Sequence, residues 1–199
     1  MTEKQLDILH EHVRQRIQLP REECMGLGQY FTSRIVRKRQ FLLQAGEVCR
    51  QIAFVTEGCL RMHSGPHKGD EHVLQFAVRD WWISDLNSFL SGQPSTHFID
   101  ALQDSEGLLL DKGDRDKLLA SIPAMEMFFR LLLEANYIAR NMRIADSLSR
   151  SAEERYLSFL ETYPTIAEKI PQTQIASFLG ITPQSLSRIR RELSDRQSR

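Results

Sequence analysis

Apolar positions change their rhythm three times along this chain of 199 residues. Leu6, Leu9, Val13 and Ile17 recur at helical spacing and stop at Leu19-Pro20, which predicts an N-terminal helix over residues 2–18. A second short helix is expected between Glu22 and Phe31. From Thr32 to about Lys112 the pattern shortens to runs rich in Val, Ile, Phe and Leu, separated by turn residues. RQFLLQ precedes Ala45-Gly46-Glu47, QIAFVTE precedes Gly58, and CLRMHS precedes the turn Gly65-Pro66-His67-Lys68-Gly69-Asp70. EHVLQFAV, THFIDALQ and GLLLD follow in the same style. Regular short strands with glycine turns predict an antiparallel, jelly-roll-like β-roll. Trp82 to Gly92 interrupts that rhythm and reads as irregular or briefly helical.

Helical spacing returns at Asp114. A short helix ends near Pro123, and Ala124 to about Arg150 then runs without Gly or Pro. Met125, Phe128, Leu132, Ala135, Ala139 and Met142 fall at alternating steps of three and four, a coiled-coil-like seam. Phe129, Leu131, Leu133 and Ile138 add a second apolar stripe. A helix apolar on two sides needs two partners: its own domain and, most economically, its own copy in a two-fold dimer. Ser151-Ala152-Glu153-Glu154 is a capping box that opens a further helix ending at Pro164. The fold class is therefore α+β. Residues 1–122 form a β-roll domain, 123–150 a long dimerisation helix and 151–199 a terminal helical domain.

The last of these carries the clearest chemistry. Gln172 to Leu193 reads as two short helices around Gly180, a helix-turn-helix with little or no wing before it. Ile175, Leu179, Ile181, Leu186 and Ile189 are the apolar residues that hold the two helices together. Ala176 stands at the crossing, and Gly180 in the turn supplies positive φ. Thr182 is a good N-cap and Pro183 sits at the helical position that proline prefers. The second helix then presents Gln184, Ser185, Ser187, Arg188 and Arg191. Gln184 and Arg188 lie four apart, on one face. Glutamine pairs with adenine and arginine with guanine in the major groove. Thr173, Thr182, Ser185 and Arg191 are placed to reach phosphates.

Charge follows the same division. The 26 basic and 26 acidic residues cancel overall. From Tyr137 onward, however, ten basic residues face seven acidic ones, so this part carries +3 and the first 136 residues −3. Five arginines lie among the last dozen residues. Cys24, Cys49 and Cys59 lack the spacing of a disulfide framework or a metal site, and read as free thiols of a reducing compartment. The N-terminus is charged and amphipathic, unlike a signal peptide, and no apolar run reaches the roughly 20 residues of a membrane span. A cytoplasmic protein without membrane contact is expected.

The order of helix, β-roll, long helix and helix-turn-helix resembles the Crp/Fnr superfamily of bacterial transcription regulators. FLLQAGE (residues 41–47), FVTEGCLRM (54–62) and FIDALQDSEGLLL (98–110) carry the resemblance in the β-roll, and QIASFLGITPQSLSRIRREL carries it at the terminus. The resemblance implies a cyclic-nucleotide-binding-like sensor and a homodimer that binds double-stranded DNA and RNA polymerase. By position, base contacts fall on Pro183, Gln184 and Arg188, and phosphate contacts on Thr182 and Ser185. Pro183 has no donor to offer a base, so the half-site differs from that of the cyclic AMP receptor.

The sensor departs further. Nucleotide-binding relatives place a glutamate and, some residues later, an arginine in the segment that here runs from Trp82 to His97. Asp85 stands in for the glutamate, but no arginine lies between Arg79 and Arg115. A buried cyclic phosphate would lack its cation, so no cyclic nucleotide cofactor is expected. Trp82, Ser84, Asp85, Asn87, Ser95 and Thr96 are the candidate pocket for some other small effector. Two further readings fit the β-roll: a binding module acting through protein contacts, or a cupin-type metalloenzyme. The latter is disfavoured because His63, His67 and His72 crowd one polar turn and no His-x-His precedes a Glu on a strand. No catalytic fingerprint appears, and an enzyme is not expected.

Overall fold

The computed structural model describes residues 1–65, 71–164, 167 and 169–197. His67 with the rest of Pro66–Asp70, Thr165, Ile166 and Glu168 of the stretch expected to carry little or no wing, and Ser198 and Arg199 lie outside the described residues.

Helix α1 (Glu3–Arg14) begins at a capping box in which Thr2 and Gln5 bond each other's backbone, and it ends a turn earlier than the apolar spacing suggests. It buries Ile8, Leu9, His12 and Val13. Helix α2 (Arg21–Gly26) and a 3-10 turn (Leu27–Tyr30) lead into the first strand.

Eight strands among the described residues form two four-stranded antiparallel sheets. The strands are β1 (Thr32–Val36), β2 (Phe41–Leu43), β3 (Gln51–Glu57), β4 (Cys59–Ser64), β5 (His72–Val78), β6 (Trp81–Ile83), β7 (Phe98–Ala101) and β8 (Ser105–Asp111). One sheet runs β1-β8-β3-β6 and the other β2-β7-β4-β5. The interleaved order is the signature of a jelly-roll-like β-roll. Its core holds Phe54, Phe76, Ile83, Ile99, Leu108 and Leu110, each at most 2% exposed. Gly58 shows why glycine punctuates these strands. Its φ is +91°, and a Cβ there would sit 2.3 Å from the Ser105 hydroxyl oxygen.

The interruption between β6 and β7 contains a short helix, α3 (Leu86–Ser91), stopped by Gly92 in the left-handed region. After β8 come α4 (Lys112–Ser121), α5 (Ala124–Ser149), α6 (Ala152–Thr162), α7 (Gln172–Leu179) and α8 (Pro183–Gln197). The expected capping box opens α6, with Ser151 and Glu154 bonded to each other's backbone.

The chain divides into two compact units, Met1–Ser64 with Gln75–Ala135, and Gly65–Leu74 with Asn136–Arg199. The boundary falls inside α5 rather than at its ends. In the first unit, the start of α5 is part of the core. Met125 is 1% exposed and Phe128 fully buried. Phe128 meets His12 of α1 edge-on at 5.9 Å and Trp82 of β6 at 6.1 Å. In the second unit, Tyr156, Phe159, Ile175, Ala176, Leu179, Leu186 and Ile189 are buried together. Within that unit the Ser177 hydroxyl donates to the Glu71 carbonyl at 2.7 Å and accepts from the Val73 amide at 3.0 Å. Arg143 donates to the Leu74 carbonyl and lies over the Phe178 ring at 4.6 Å.

Candidate functional site

Two regions carry the polar chemistry. In the second unit, α7 ends at Gly180, which has φ +66° and closes the helix through its amide on Ala176 and Ser177 carbonyls. Ile181 follows with an amide bond back to the Ala176 carbonyl at 3.0 Å. Arg155 of α6 adds a cation at that C-terminus, donating to the Leu179 carbonyl at 2.6 Å. Helix α8 starts where Thr182 caps it: the Thr182 hydroxyl accepts the Ser185 amide at 3.1 Å and shares a hydrogen bond with the Ser185 hydroxyl at 2.9 Å. Its later turns are tied to α6 by Arg196 on Glu153 at 2.6 Å.

This frame buries Ile175, Ala176, Leu179, Leu186 and Ile189 and leaves Ile181 half-buried. Thr173, Thr182, Gln184, Ser187, Arg188 and Arg191 are exposed, and Ser185 is half-buried beneath Thr182. Gln184, Arg188 and Arg191 follow one another along one side of α8. The Arg188 side chain is 69% exposed and only loosely paired, 3.9 Å from Glu192.

In the first unit the candidate effector residues behave differently. Trp82 donates its indole N–H to His12 at 3.0 Å. His12 is enclosed by Phe54, Trp82 and Phe128, and burial lowers its pKa to about 4, so it is a neutral acceptor. The Ser84 hydroxyl donates to the Gln51 carbonyl at 3.1 Å, beside the Cys49 thiol. Asp85 is 6% exposed. Its carboxylate accepts from the Asn87 and Ser88 amides, which makes it the N-cap of α3, and from the Ser95 hydroxyl at 2.6 Å. His97 Nδ1 lies 3.3 Å from the same carboxylate. Burial alone would raise the Asp85 pKa, but the hydrogen bonds from Ser95, His97 and the Ser88 amide outweigh it and the net shift is downward. Asn87, which joins the group through its backbone amide, and Thr96 are exposed.

A cavity of about 340 Å³ opens next to α3 and is lined by Val48, Cys49, Arg50, Phe89, Asp111 and Lys112, among others, with none of the six candidate effector residues. Ser88, His97 and His12 were not singled out by the sequence reading, nor was the buried pair in which Arg61 Nε and Nη2 grip Asp100 at 2.7 and 3.1 Å. The signal for that pair was a charge on each of two strands, β4 and β7, and only their register brings Arg61 opposite Asp100.

Of the expected dimer seam, Met125 and Phe128 are consumed by the first unit's own core and Leu132 is half-buried. Ala135, Ala139 and Met142 are exposed, with Tyr137, Ile138, Ile144 and Leu148. The exposed part of the expected seam thus begins at Ala135, while Met127 and Leu133 of α5 are exposed outside it. Among the described residues, no cluster of three or more His, Cys, Asp or Glu is arranged to hold a metal, and no helix is long and apolar enough to cross a membrane.

Residues 33–121 match the model of the cyclic nucleotide-binding domain family. The matched residues run from β1 through α4 and include the Asp85 group. No curated protein sequence matches the chain. Solved structures agree on the fold over most of its length. FixK2 from Bradyrhizobium japonicum is 19% identical with a TM-score of 0.68, over 84% of this chain and 86% of that one. CooA from Carboxydothermus hydrogenoformans is 18% identical with a TM-score of 0.65, over 85% and 79%. The c-di-GMP responsive global regulator CLP of Xanthomonas campestris is 11% identical with a TM-score of 0.69, over 89% and 93%. The β-roll followed by helices is thus the fold of Crp/Fnr-type regulators, in agreement with the resemblance of the sequence motifs.

Proposed function

We propose that this chain is a bacterial transcription regulator that binds DNA as a homodimer through α7 and α8. The observation that carries this reading is the pair of helices joined at Gly180, with Thr182 capping α8 and Gln184, Arg188 and Arg191 exposed along it. The fold shared with CooA, FixK2 and CLP supports it. In this helix-turn-helix, Gln184 and Arg188 read base edges. Thr173, Thr182, Ser185, Ser187 and Arg191 hold the backbone. Pairing of two copies along the exposed apolar surface of α5 places two α8 helices in successive major grooves, about 34 Å apart, on a near-palindromic site. RNA polymerase is the protein partner such a regulator acts upon. The sensor responds to an effector other than a cyclic nucleotide, or to none, because the segment from Trp82 to His97 offers a cyclic phosphate no arginine or lysine.

A gel shift on genomic fragments across a salt series tests the reading. Binding that weakens steeply with salt, and that loses sequence preference in Arg188→Ala, is expected. A chain that acts only through protein contacts would shift no fragment.

A further inference from the structure

We propose that Asp85, Ser88 and Ser95 form an intramolecular clasp that holds α3 shut in the place of a bound effector, so that the DNA affinity of this chain is set without a small molecule. The consequence for DNA rests on the function proposed above; the clasp itself rests on the geometry of the first unit alone.

A carboxylate offers about four lone-pair sites. Asp85 has four neighbours that match them: the Asn87 amide at 3.1 Å, the Ser88 amide at 3.4 Å, the Ser95 hydroxyl at 2.6 Å and His97 Nδ1 at 3.3 Å. The two serines are engaged on both sides. The Ser88 hydroxyl donates to the Gln93 carbonyl at 2.6 Å and accepts the Cys49 amide at 2.9 Å. The Ser95 hydroxyl accepts the His97 amide at 2.9 Å. The backbone of Ser95 is bonded to Gly46 and Glu47, both at 2.8 Å. Asp85, Ser88 and Ser95 are 6%, 1% and 4% exposed.

A buried polar group left without a partner is costly, and a network satisfied throughout specifies one arrangement. This network is satisfied by the chain's own atoms. A hydroxyl or amide of an incoming molecule reaches Asp85 only by displacing Ser95, a backbone amide or His97. The short helix α3, six residues long, is therefore tied at its start to the connection before β7 through Ser95 and at its middle to the β2–β3 connection through Ser88.

The clasp also reaches α5. Trp82 lies three residues before Asp85, on β6. Its ring packs 5.0 Å from Phe54 and 6.1 and 6.0 Å from Phe128 and Phe129 of α5, and its indole N–H is held by His12. A fixed α3 thus fixes the strand that seats the base of the long helix.

Hydrogen exchange on the full-length protein tests the clasp, read at the amides of Cys49, Asn87, Ser88 and His97 with no ligand added. In the wild type these amides are expected to be protected, and cyclic AMP or cyclic GMP should leave them unchanged. In Ser95→Ala and in the near-isosteric Asp85→Asn they should exchange about tenfold faster or more, while β3 and β8 stay protected. Gln93→Ala, which removes an exposed side chain and leaves the Gln93 carbonyl in place, should match the wild type. Wild-type amides that exchange like an open loop, or that slow when a cyclic nucleotide is added, would overturn the clasp. A parallel gel shift reads the consequence. DNA bound without any small molecule, and more weakly by Ser95→Ala, supports it. DNA bound only after a cyclic nucleotide is added overturns it. A wild type that binds no DNA under either condition sinks the regulator reading, and the exchange result then decides the clasp by itself.

Discussion

Helices α7 and α8 and the segment from Trp82 to His97 use similar polar residues and dispose of them in opposite ways. Around α8 the frame is apolar and the polar side chains face solvent: Gln184, Ser187, Arg188 and Arg191 are all exposed. Around α3, Asp85, Ser88 and Ser95 turn inward and are buried in bonds to their own chain, while Asn87 and Thr96 stay exposed. An outward polar face on a rigid frame is a surface for a partner. An inward, satisfied polar network is a structural lock. The difference teaches that similar polar residues can serve the interior in one region and face solvent in another.

The comparison can be broken at several points. The largest expected effect is on the core that the α3 segment shares with α5. Phe128→Ala removes a fully buried ring packed on His12, Trp82 and Phe129, and should lower stability by about 3–5 kcal/mol in chemical unfolding. A loss below about 1 kcal/mol would mean that α5 is not seated there.

The second test uses pH. His12 is lowered from 6.5 to about 4 in the fold by burial, so the unfolded chain takes a proton before the folded one does. Stability should therefore be constant above pH 6.5 and fall as the pH drops from 6.5 towards 4, by up to about 3 kcal/mol on linkage grounds. His12→Gln, compared by unfolding at pH 7.5 and 5, should lose most of that dependence. An unchanged slope would place the titration elsewhere.

On the outward side the expected effects are smaller in stability and larger in binding. Arg188→Ala should cost roughly 1–3 kcal/mol of specific DNA affinity and relax preference at one base pair, with unfolding unchanged. Arg191→Ala should weaken all sequences alike and flatten the salt dependence. The smallest effect belongs to Thr182→Ala, which removes the α8 cap and should lower stability by about 1 kcal/mol. An Arg188→Ala that destabilises the fold as much as Thr182→Ala does would erase the contrast between the two regions.

The outward region was the more legible in sequence because its logic is local. Gly180, Thr182 and Pro183 act on neighbours within four residues, and the buried set of α7 and α8 follows helical spacing. The eight-stranded roll was legible as a texture of short strands. The pairing β1-β8-β3-β6 was not, because it joins strands far apart in the chain. The lock at Asp85 escaped for the same reason. Two of its four partners are ten and twelve residues away across a turn, and Cys49 reaches Ser88 from another strand connection. Met125 and Phe128 carry a spacing that fits a seam between copies equally well; the burial of both, and for Phe128 the rings of His12 and Trp82 beside it, assigns them to the chain's own core. Spacing identifies an apolar face and leaves its occupant open.

The central claim is that α8 reads DNA as one half of a two-fold pair. Selection of bound sequences from random DNA with the full-length protein tests it most directly. The selected pool should be enriched in an inverted repeat whose half-sites lie about one helical turn apart, with one base pair in each half losing its preference in Arg188→Ala. Enrichment of no sequence, or of a motif that Arg188→Ala leaves untouched, would contradict it.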